Sequence, residues 1–313
     1  RYLYHVENRE EISPAALDSL KEELVQIEKK YPSLITPDSP SQRVAGTALA
    51  KFEKVVHKVP QWSLNDAFEE SEIREFDARV RRMLKTETGK DISPAYTCEL
   101  KIDGLHIVLE YKGGKLITAA TRGDGKEGEN VTHNIRTIHS VPLVLQEKVD
   151  IIVEGEVWLA KSQLEKINKE RKKIGEEIYA NPRNLAAGTI RQLDPKIAAE
   201  RNLDTFIYDI SQGEKPLSQE NELRRLQKLG FKVNPHFTLC TSIDDVISFW
   251  EKWHTQKDKQ SYLIDGVVVK VNKVEYQQAL GYTGKGPLFA IALKFPAGQA
   301  TTVVGDIQLQ VGR

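Results

Sequence analysis

The chain has 313 residues, enough for one large domain with a small appendage, and its 40% hydrophobic and 29% charged residues are ordinary for a globular protein. Lysine and arginine total 45, and aspartate and glutamate also total 45, so no net charge attracts a polyanion such as DNA, and any such partner needs a local basic surface. Two cysteines supply neither a disulfide framework nor a zinc site, which favours a reducing, cytoplasmic location. No apolar run approaches the roughly 20 residues of a transmembrane helix, so we expect no membrane partner.

Helical periodicity dominates the first 90 residues. Ser13 can cap a helix over residues 13–30, and Pro14 suits its first turn. A proline-rich connector follows, and a second helix is predicted over residues 71–85. The chain begins without a methionine and ends within a strand-like segment, so we expect it to be a piece of a longer protein.

From about residue 95 the apolar period changes from that of a helix to that of a strand. The predicted strands are YTCELKID, HIVLEYK, KLITAATR and DIIVEGEVWL, with two later ones over residues 263–272 and 288–296. Further helices are predicted over residues 162–172, 218–229 and 242–254. A capping box, Ser162 to Glu165, predicts the start of the first of these helices. The mixture indicates an α+β domain with largely antiparallel sheet.

Charged side chains occupy unusual places on the predicted strands. In YTCELKIDG, alternation places Glu99, Lys101 and Asp103 on one face. Such a face has an ordinary interpretation, in which it is exposed and the lysine protects a sheet edge. The alternative is a site that uses an amine between two carboxylates.

The same feature recurs on three other strands, which favours the second interpretation. The faces are Glu154 with Glu156, Gly266 with Val268 and Lys270, and Ala290 with Ala292 and Lys294. Small or slim residues beside a lysine leave room for a flat ligand close to the backbone. Lysine supplies a compact charge for phosphate, so together the strands predict a pocket for a phosphorylated nucleotide.

A glycine-rich segment, RGDGKEGEN, offers a competing interpretation. Gly123, Gly125 and Gly128 have the spacing G-x-G-x-x-G of a dinucleotide-binding turn, which would indicate an NAD-dependent oxidoreductase. Charged residues crowd the loop, however, and no βαβ alternation surrounds it. The oxidoreductase is therefore the second hypothesis.

An ordered set of motifs resembles a known family. CELKIDG resembles the K-x-D-G nucleophile motif of covalent nucleotidyltransferases. ATRGDGKEGENVTHNIRTI, VEGEVW, ANPRNLAAGTIRQLDP, IDGVVVKVN and ALKFPA are similar, in the same order, to further motifs of the bacterial-type NAD-dependent DNA ligases. K-x-D-G alone recurs by chance, whereas the ordered set covers nearly the whole chain.

The resemblance implies a nucleotidyltransferase domain of the ATP-grasp-like DNA ligase type, with antiparallel sheets flanked by helices. A small all-helical subdomain that binds nicotinamide mononucleotide (NMN) would occupy residues 1–52. The adenylation domain would follow over residues 53–304, and residues 305–313 would begin an OB fold.

The resemblance also implies the chemistry. Lys101 would attack the α-phosphorus of NAD, expel NMN and carry AMP. The attacking amine must be neutral, and we expect burial and the neighbouring Lys270 or Lys294 to favour that form. These two lysines and Arg122 would hold the phosphate, while Asp103 would orient the nucleophile or a hydrated Mg²⁺.

Other residues would hold the adenosine. By the same resemblance, Glu99 would contact adenine, and Ser63, Leu64 and Val268 would line its site. Glu156 would contact the ribose or the metal. Cofactors are therefore expected to be NAD and Mg²⁺.

The N-terminal unit departs from the family pattern. Tyr4 and His5 match the pair that binds NMN, but the D-x-x-Y-D pattern is reduced to Asp18, because Pro14 and Leu17 replace an acid and a tyrosine. Pro14 and Leu17 are also good residues for a helix start and a core. The change leaves open a divergent, non-catalytic relative that binds a nucleotide or DNA reversibly.

The expected macromolecular partner is nicked double-stranded DNA, bound mainly by domains outside this chain, and we expect a monomer associated with the nucleoid. Arg183 and Arg191 would serve DNA phosphates, with ordinary helix-surface salt bridges as the alternative. The chain alone would adenylate itself without sealing DNA. An ATP-using relative shares K-x-D-G and would label with ATP instead of NAD.

Overall fold

The structure, a computed structural model, describes residues 6–7, 11–36, 38–44, 51–284, 286–296, 303 and 305–306. Its helices are α1 (Pro14–Lys30), α2 (Glu70–Thr88), α3 (Thr132–Ile135), α4 (Lys161–Lys173), α5 (Pro182–Ile190), α6 (Pro195–Glu200), α7 (Gln219–Leu229), α8 (Ile243–Gln256) and α9 (Val274–Leu280). Its strands are β1 (Lys54–Val56), β2 (Asn65–Ala67), β3 (Tyr96–Ile102), β4 (Leu105–Lys112), β5 (Lys115–Thr121), β6 (Glu127–Glu129), β7 (Ile151–Trp158), β8 (Asp204–Gln212), β9 (Thr238–Cys240), β10 (Ile264–Val271) and β11 (Ala290–Lys294).

Two larger sheets organise the molecule. One has five strands in the order β2-β11-β10-β3-β9, and the other has four in the order β5-β4-β7-β8. All their pairings are antiparallel except that of β11 with β2. The α+β prediction with largely antiparallel sheet is confirmed. Each sheet has its own apolar core, the first packed with α2 and α8 and the second with α5 and α7.

A two-residue connection joins the two sheets. Asp103 and Gly104 separate β3 of one sheet from β4 of the other. A Cβ atom on Gly104 would lie 2.2 Å from the Val157 carbonyl oxygen and 2.8 Å from Cγ of Glu156. Glycine is therefore required here because the backbone passes directly against β7.

The clearest sequence predictions are confirmed, one local prediction is wrong and one strand was not predicted. α1 begins at Pro14, with the Ser13 hydroxyl accepting a hydrogen bond from the Ala16 amide. The capping box at Ser162 does not form, because α4 already begins at Lys161, and its N-cap residue, Ala160, makes no side-chain hydrogen bond. β8 was not predicted, since its apolar and polar residues do not alternate cleanly and pairing with β7 defines it.

The glycine-rich segment is not a dinucleotide-binding turn. It connects β5 to β6, with Gly123 at φ 55° and Gly125 at φ 91°, values that glycine adopts readily. The Asp124 carboxylate accepts hydrogen bonds from the amides of Lys126 and Glu127, so the loop is closed by its own side chain. The conformation removes the structural basis of the oxidoreductase hypothesis.

The predicted domain boundaries stay predictions. The boundary at residue 52 follows residues 45–50, which lie outside the described part, and of residues 305–313 only Gly305 and Asp306 lie within it. Among the described residues, none of the helices is long and apolar enough to span a membrane.

Candidate functional site

A cavity of about 250 Å³ lies where the two sheets face each other. The five-stranded sheet contributes Glu99, Lys101, Val268, Lys270 and Ala290 to its walls. The four-stranded sheet contributes His106, Glu154, Glu156, Tyr208 and Asp209. Other lining residues include Leu64, Trp62, Arg183, Lys215, Tyr282 and Phe289. Most of the carboxylates and lysines that alternation picked out thus surround one space, whereas Asp103 and Lys294 do not line it.

Lys101 lies on a central strand and faces this cavity. β3 pairs with β10 on one side and β9 on the other, so the interpretation of its charged residues as an exposed, edge-protecting face is wrong. The Lys101 ammonium contacts both carboxylate oxygens of Asp265, at 3.0 and 2.9 Å. Only a quarter of the Lys101 side chain is exposed, so the pair is largely shielded from water.

Asp265 is a site residue that the sequence analysis missed. Strict alternation on β10 places Asp265 opposite to Gly266 and Lys270. The pairing with β3 slips at this point, because Ile264 and Gly266 face the consecutive residues Ile102 and Lys101. This bulge makes Asp265 an extra residue whose side chain escapes the period of two. The signal available in the sequence was its place beside Gly266, which mirrors the Asp103-Gly104 pair.

Glu99 and Lys270 form a buried ion pair at the inner end of the cavity. Lys270 Nζ lies 3.2 Å from Glu99 Oε1, and the two side chains are each only 10% exposed. Burial raises the pKa of Glu99 against the pull of Lys270. Burial opposes the charge of Lys270, but the carboxylates of Glu99 and Asp209 raise its pKa overall. Gln219 also donates to Glu99, at 3.4 Å.

The two acids of β7 sit in an environment that favours their neutral forms. Burial raises the pKa of Glu156 to about 8, even though Lys101 and Arg183 act in the opposite direction. Burial, with repulsion from Asp209, raises the pKa of Glu154 to about 7. Near neutral pH a protonated Glu156 can both donate and accept, which suits recognition of a hydroxyl group.

His106 connects Gln61 to Tyr208, which lines the cavity beside it. Gln61 Nε2 donates to the Val59 carbonyl at 2.8 Å, which leaves its Oε1 to accept from His106 Nε2 at 2.9 Å. His106 Nδ1 then accepts from the Tyr208 hydroxyl at 2.8 Å. Burial, with the charge of Arg122, lowers the pKa of His106 to about 4. A neutral imidazole in this assigned tautomer therefore orients the Tyr208 ring.

Three residues expected at the phosphate or adenosine lie outside the cavity walls. The Arg122 guanidinium donates to Ser63 Oγ at 2.6 Å, so these two hold each other. Lys294 Nζ lies 3.0 Å from Asp66. Gly266 pairs with Lys101 on one side and Lys294 on the other, so a residue without a side chain separates the two lysines. Each predicted phosphate-binding lysine is thus paired with a carboxylate, and neither Lys270 nor Lys294 is the partner of Lys101.

The two arginines expected to serve DNA belong to α5 and its C-cap. Arg183 Nη1 donates to Asp103 Oδ1 at 2.9 Å and lines the cavity. Arg191 forms an ion pair with Glu129 at 2.9 Å. Both contacts are the salt bridges of the alternative interpretation, and the roles toward DNA stay predictions.

The residues predicted to bind NMN lie mostly outside the described part of the chain. Tyr4 and His5 lie outside the described residues, and only the backbone of Asp18 is described, within α1. The described residues contain no group of three or more His, Cys, Asp or Glu side chains that could hold a metal ion. The Mg²⁺ prediction is therefore not tested by the arrangement of these side chains.

Tyr208 and Asp209 are two further lining residues that the sequence analysis missed. Both lie on β8, and without that strand their link to β7 could not be foreseen. The signal was the segment FIYDI, an aromatic and apolar run with one acid.

Comparison with known proteins agrees with this geometry. Residues 49–298 match the model of the NAD-dependent DNA ligase adenylation domain. The chain belongs to that family. Residues 1–45 match the DNA ligase-like, N-terminal NAD+-binding domain. The oxidoreductase hypothesis has no support from either match.

Curated relatives are similar along the whole chain. A DNA ligase of Anoxybacillus flavithermus (strain DSM 21510 / WK1) is 48% identical over 314 residues, which cover 100% of this chain and 46% of the relative. A DNA ligase of Pseudothermotoga lettingae is 45% identical with the same coverage. This adenylation-domain chain therefore spans about half the length of these relatives.

Among solved structures, a putative ATP-dependent DNA ligase from Aquifex aeolicus matches with 13% identity and a TM-score of 0.37, over 88% of this chain and 62% of that one. This likeness is too distant to add to the family assignment.

Proposed function

We propose that this chain performs the self-adenylation step of a DNA ligase, with Lys101 as the nucleophile and NAD as the AMP donor. The observation that carries the proposal is the position of the Lys101 amine, on a central strand, facing a cavity lined by flat, apolar and acidic walls. Lys101 Nζ would form a bond to the α-phosphorus of NAD as the bond from that phosphorus to the NMN oxygen breaks. Asp265, in contact with Nζ, is the acceptor in reach for the proton that the amine loses.

The cavity walls suit the adenosine part of the donor. The cavity volume of about 250 Å³ lies just below the roughly 300–1,000 Å³ of small-molecule sites. Val268 lies opposite Glu99 in the β10–β3 pairing, and both line the cavity with the Tyr208 ring. Adenine would lie against these surfaces with its exocyclic amine toward Glu99, and Glu156 would bind a ribose hydroxyl. Lys270 would then contact the nucleotide with its ammonium group already held in place by the ion pair with Glu99.

Arg122, Ser63 and Lys294 would contribute only after rearrangement. Their present partners lie beside the cavity, so binding of the phosphates would have to attract Lys294 from Asp66. Any Mg²⁺ in the reaction would be bound chiefly by phosphate oxygens and water, as this ion usually is.

For the whole protein we propose transfer of AMP to the 5′-phosphate of nicked double-stranded DNA, followed by attack of the 3′-hydroxyl, in the cytoplasm. Support comes from the family and from relatives named DNA ligase that are about twice as long.

Intact-protein mass spectrometry tests the proposal. The chain is incubated with Mg²⁺ and either NAD or ATP, beside Lys101→Ala and the surface control Lys112→Ala. We expect a gain of one AMP with NAD only, lost in Lys101→Ala and kept in the control. An adduct that persists in Lys101→Ala would refute the assignment of the nucleophile. Labelling by ATP alone would favour the ATP-using relative, and no adduct at all would favour a reversible binder.

A further inference from the structure

The helix α4 has a charge unlike that of the rest of the molecule. It carries six basic residues and two acidic ones in 13 positions, whereas the longer helix α2 carries five of each. The chain as a whole is neutral. Positive charge is thus concentrated on one short segment.

The basic side chains point away from the protein core. Leu164 and Ile167 pack against the core of the four-stranded sheet, and Asn168 exchanges two hydrogen bonds with the backbone of Tyr179. Helical spacing puts Lys166, Lys169 and Lys173 on the opposite side, where all three are exposed. At 1.5 Å per residue this stripe is about 10 Å long.

Several exposed cations of the described chain have a carboxylate partner, and others, such as Lys90 and Lys148, do not; α4 differs in carrying four unpaired exposed lysines within eight residues. Arg74 pairs with Glu70 on its own helix, and Arg224 pairs with Glu220. Within the described residues, the four exposed lysines of α4 have no carboxylate within the 4.0 Å that defines an ion pair; these are Lys166, Lys169, Lys172 and Lys173. Attraction of cations to the helix C-terminus accounts for the last turn but not for Lys166 or Lys169.

The position of α4 connects it to the cavity. It follows directly after β7, the strand of Glu156, and it packs against α5, whose first turn brings Arg183 to the cavity. Arg171 of α4 lies over the Tyr179 ring, in the loop that leads to α5. A duplex that presented its 5′-phosphate to Lys101 would extend over the neighbouring surface.

We propose that the four exposed lysines of α4, Lys166, Lys169, Lys172 and Lys173, form a docking surface for the phosphate backbone of the duplex beside the nick. The inference rests on the proposed function and adds to it the place where the DNA lies. Lysines supply the charge that a neutral chain otherwise lacks, and they read no base sequence, as suits an enzyme that acts at any nick.

The test uses the complete protein that contains this chain, with the four lysines Lys166, Lys169, Lys172 and Lys173 replaced by glutamine. The control replaces four exposed lysines on other elements, Lys90, Lys148, Lys252 and Lys259, so both variants lose the same charge. Fluorescence anisotropy gives the Kd for a nicked duplex over a range of salt concentrations. Mass spectrometry of AMP addition from NAD, and the thermal midpoint, report the intact active site and fold.

We expect the α4 variant to bind the duplex about tenfold or more weakly at physiological salt. The slope of log Kd against log salt should fall by about 2 to 4, since each phosphate contact contributes about 0.9. AMP addition should stay within about twofold of the unchanged protein. The control variant should show a clearly smaller change in slope.

Equal slopes and affinities for the two variants would overturn the proposal. Exposed Ile174 and Ile178 follow α4, so a protein partner is the competing occupant. Unchanged DNA binding by the four-lysine variant would also overturn the proposal, in favour of that protein partner. Failure of AMP addition in the unchanged protein would refute the proposed function instead, and leaves the binding measurement readable.

Discussion

Glu222 provides a sharp test of the electrostatics around the cavity, because it is buried but takes no part in the proposed chemistry. Its side chain on α7 is 1% exposed, and its Oε1 accepts a hydrogen bond from the Ile210 amide at 2.6 Å. Burial, with repulsion from Asp209, raises its pKa from 4.5 to about 8. In Glu222→Gln the amide oxygen keeps the hydrogen bond to Ile210 and the titrating group is gone.

The sign of the effect follows from proton binding. Between pH 4.5 and about 8 the folded protein keeps a proton on Glu222 that the unfolded chain has lost, so the unchanged protein loses stability as the pH rises. At about 1.4 kcal/mol per pH unit, the distance from 4.5 to about 8 sets a ceiling of about 5 kcal/mol. The charged form can attract Lys215, so we expect less than this ceiling. The free energy of unfolding of Glu222→Gln, minus that of the unchanged protein, should be about 2 to 4 kcal/mol larger at pH 9 than at pH 4.

Urea denaturation from pH 4 to pH 9, followed by circular dichroism, measures this difference. The control is Glu220→Gln on the same helix, whose surface ion pair with Arg224 should change the free energy of unfolding by at most about 1 kcal/mol. A difference between Glu222→Gln and the unchanged protein that is constant over the whole pH range would refute the reasoning.

Two further predictions concern the cavity and its surroundings. His106→Leu removes the acceptor of the Tyr208 hydroxyl, so we expect the NAD concentration that gives half the maximal rate of self-adenylation to rise about five- to tenfold, with the maximal rate constant nearly unchanged. Adding Tyr208→Phe to this variant should change little further. Because each chain accepts one AMP, single-turnover kinetics are the measurement, and a fall in the maximal rate constant at an unchanged half-saturating NAD concentration would contradict this. Contact with Cys240 and burial raise the pKa of Cys98, so iodoacetamide should label Cys98 only in denaturant, and peptide mapping that finds it labelled in the native protein would contradict its burial.

The parts of the fold that could be predicted are those specified by local sequence. Ser13, Pro14 and a regular apolar period predict helix α1. Alternation of apolar and charged residues predicts strands β3 and β7. Alternation also indicated the shared cavity, because it identified charged faces on strands that are otherwise apolar. These patterns can be recognised in a single sequence because each of them relates residues only two to four positions apart.

The parts that escaped prediction depend on partners far away in the chain. Tyr208 and Asp209 reach the cavity because β8 pairs with β7, about 50 residues earlier. Asp265 reaches Lys101 because the β10–β3 register slips, which no periodic pattern encodes. Lys294 was expected beside the nucleophile, but its contact with Asp66 depends on β2, a strand of three residues.

The connection at Gly104 has a consequence for how the protein selects its ligand. Only two residues join β3 to β4, and the backbone of Gly104 lies against β7. The strand of Lys101, β3, and the strand of Glu156, β7, therefore meet at one corner of the cavity. The backbone separation of β3 and β7 at this corner is therefore set by the fold, and only the side chains of Lys101 and Glu156 can adjust to a ligand. We therefore expect this corner to select ligands by a fixed backbone separation. Adjustment to ligands of different size would occur at the remaining sides of the cavity.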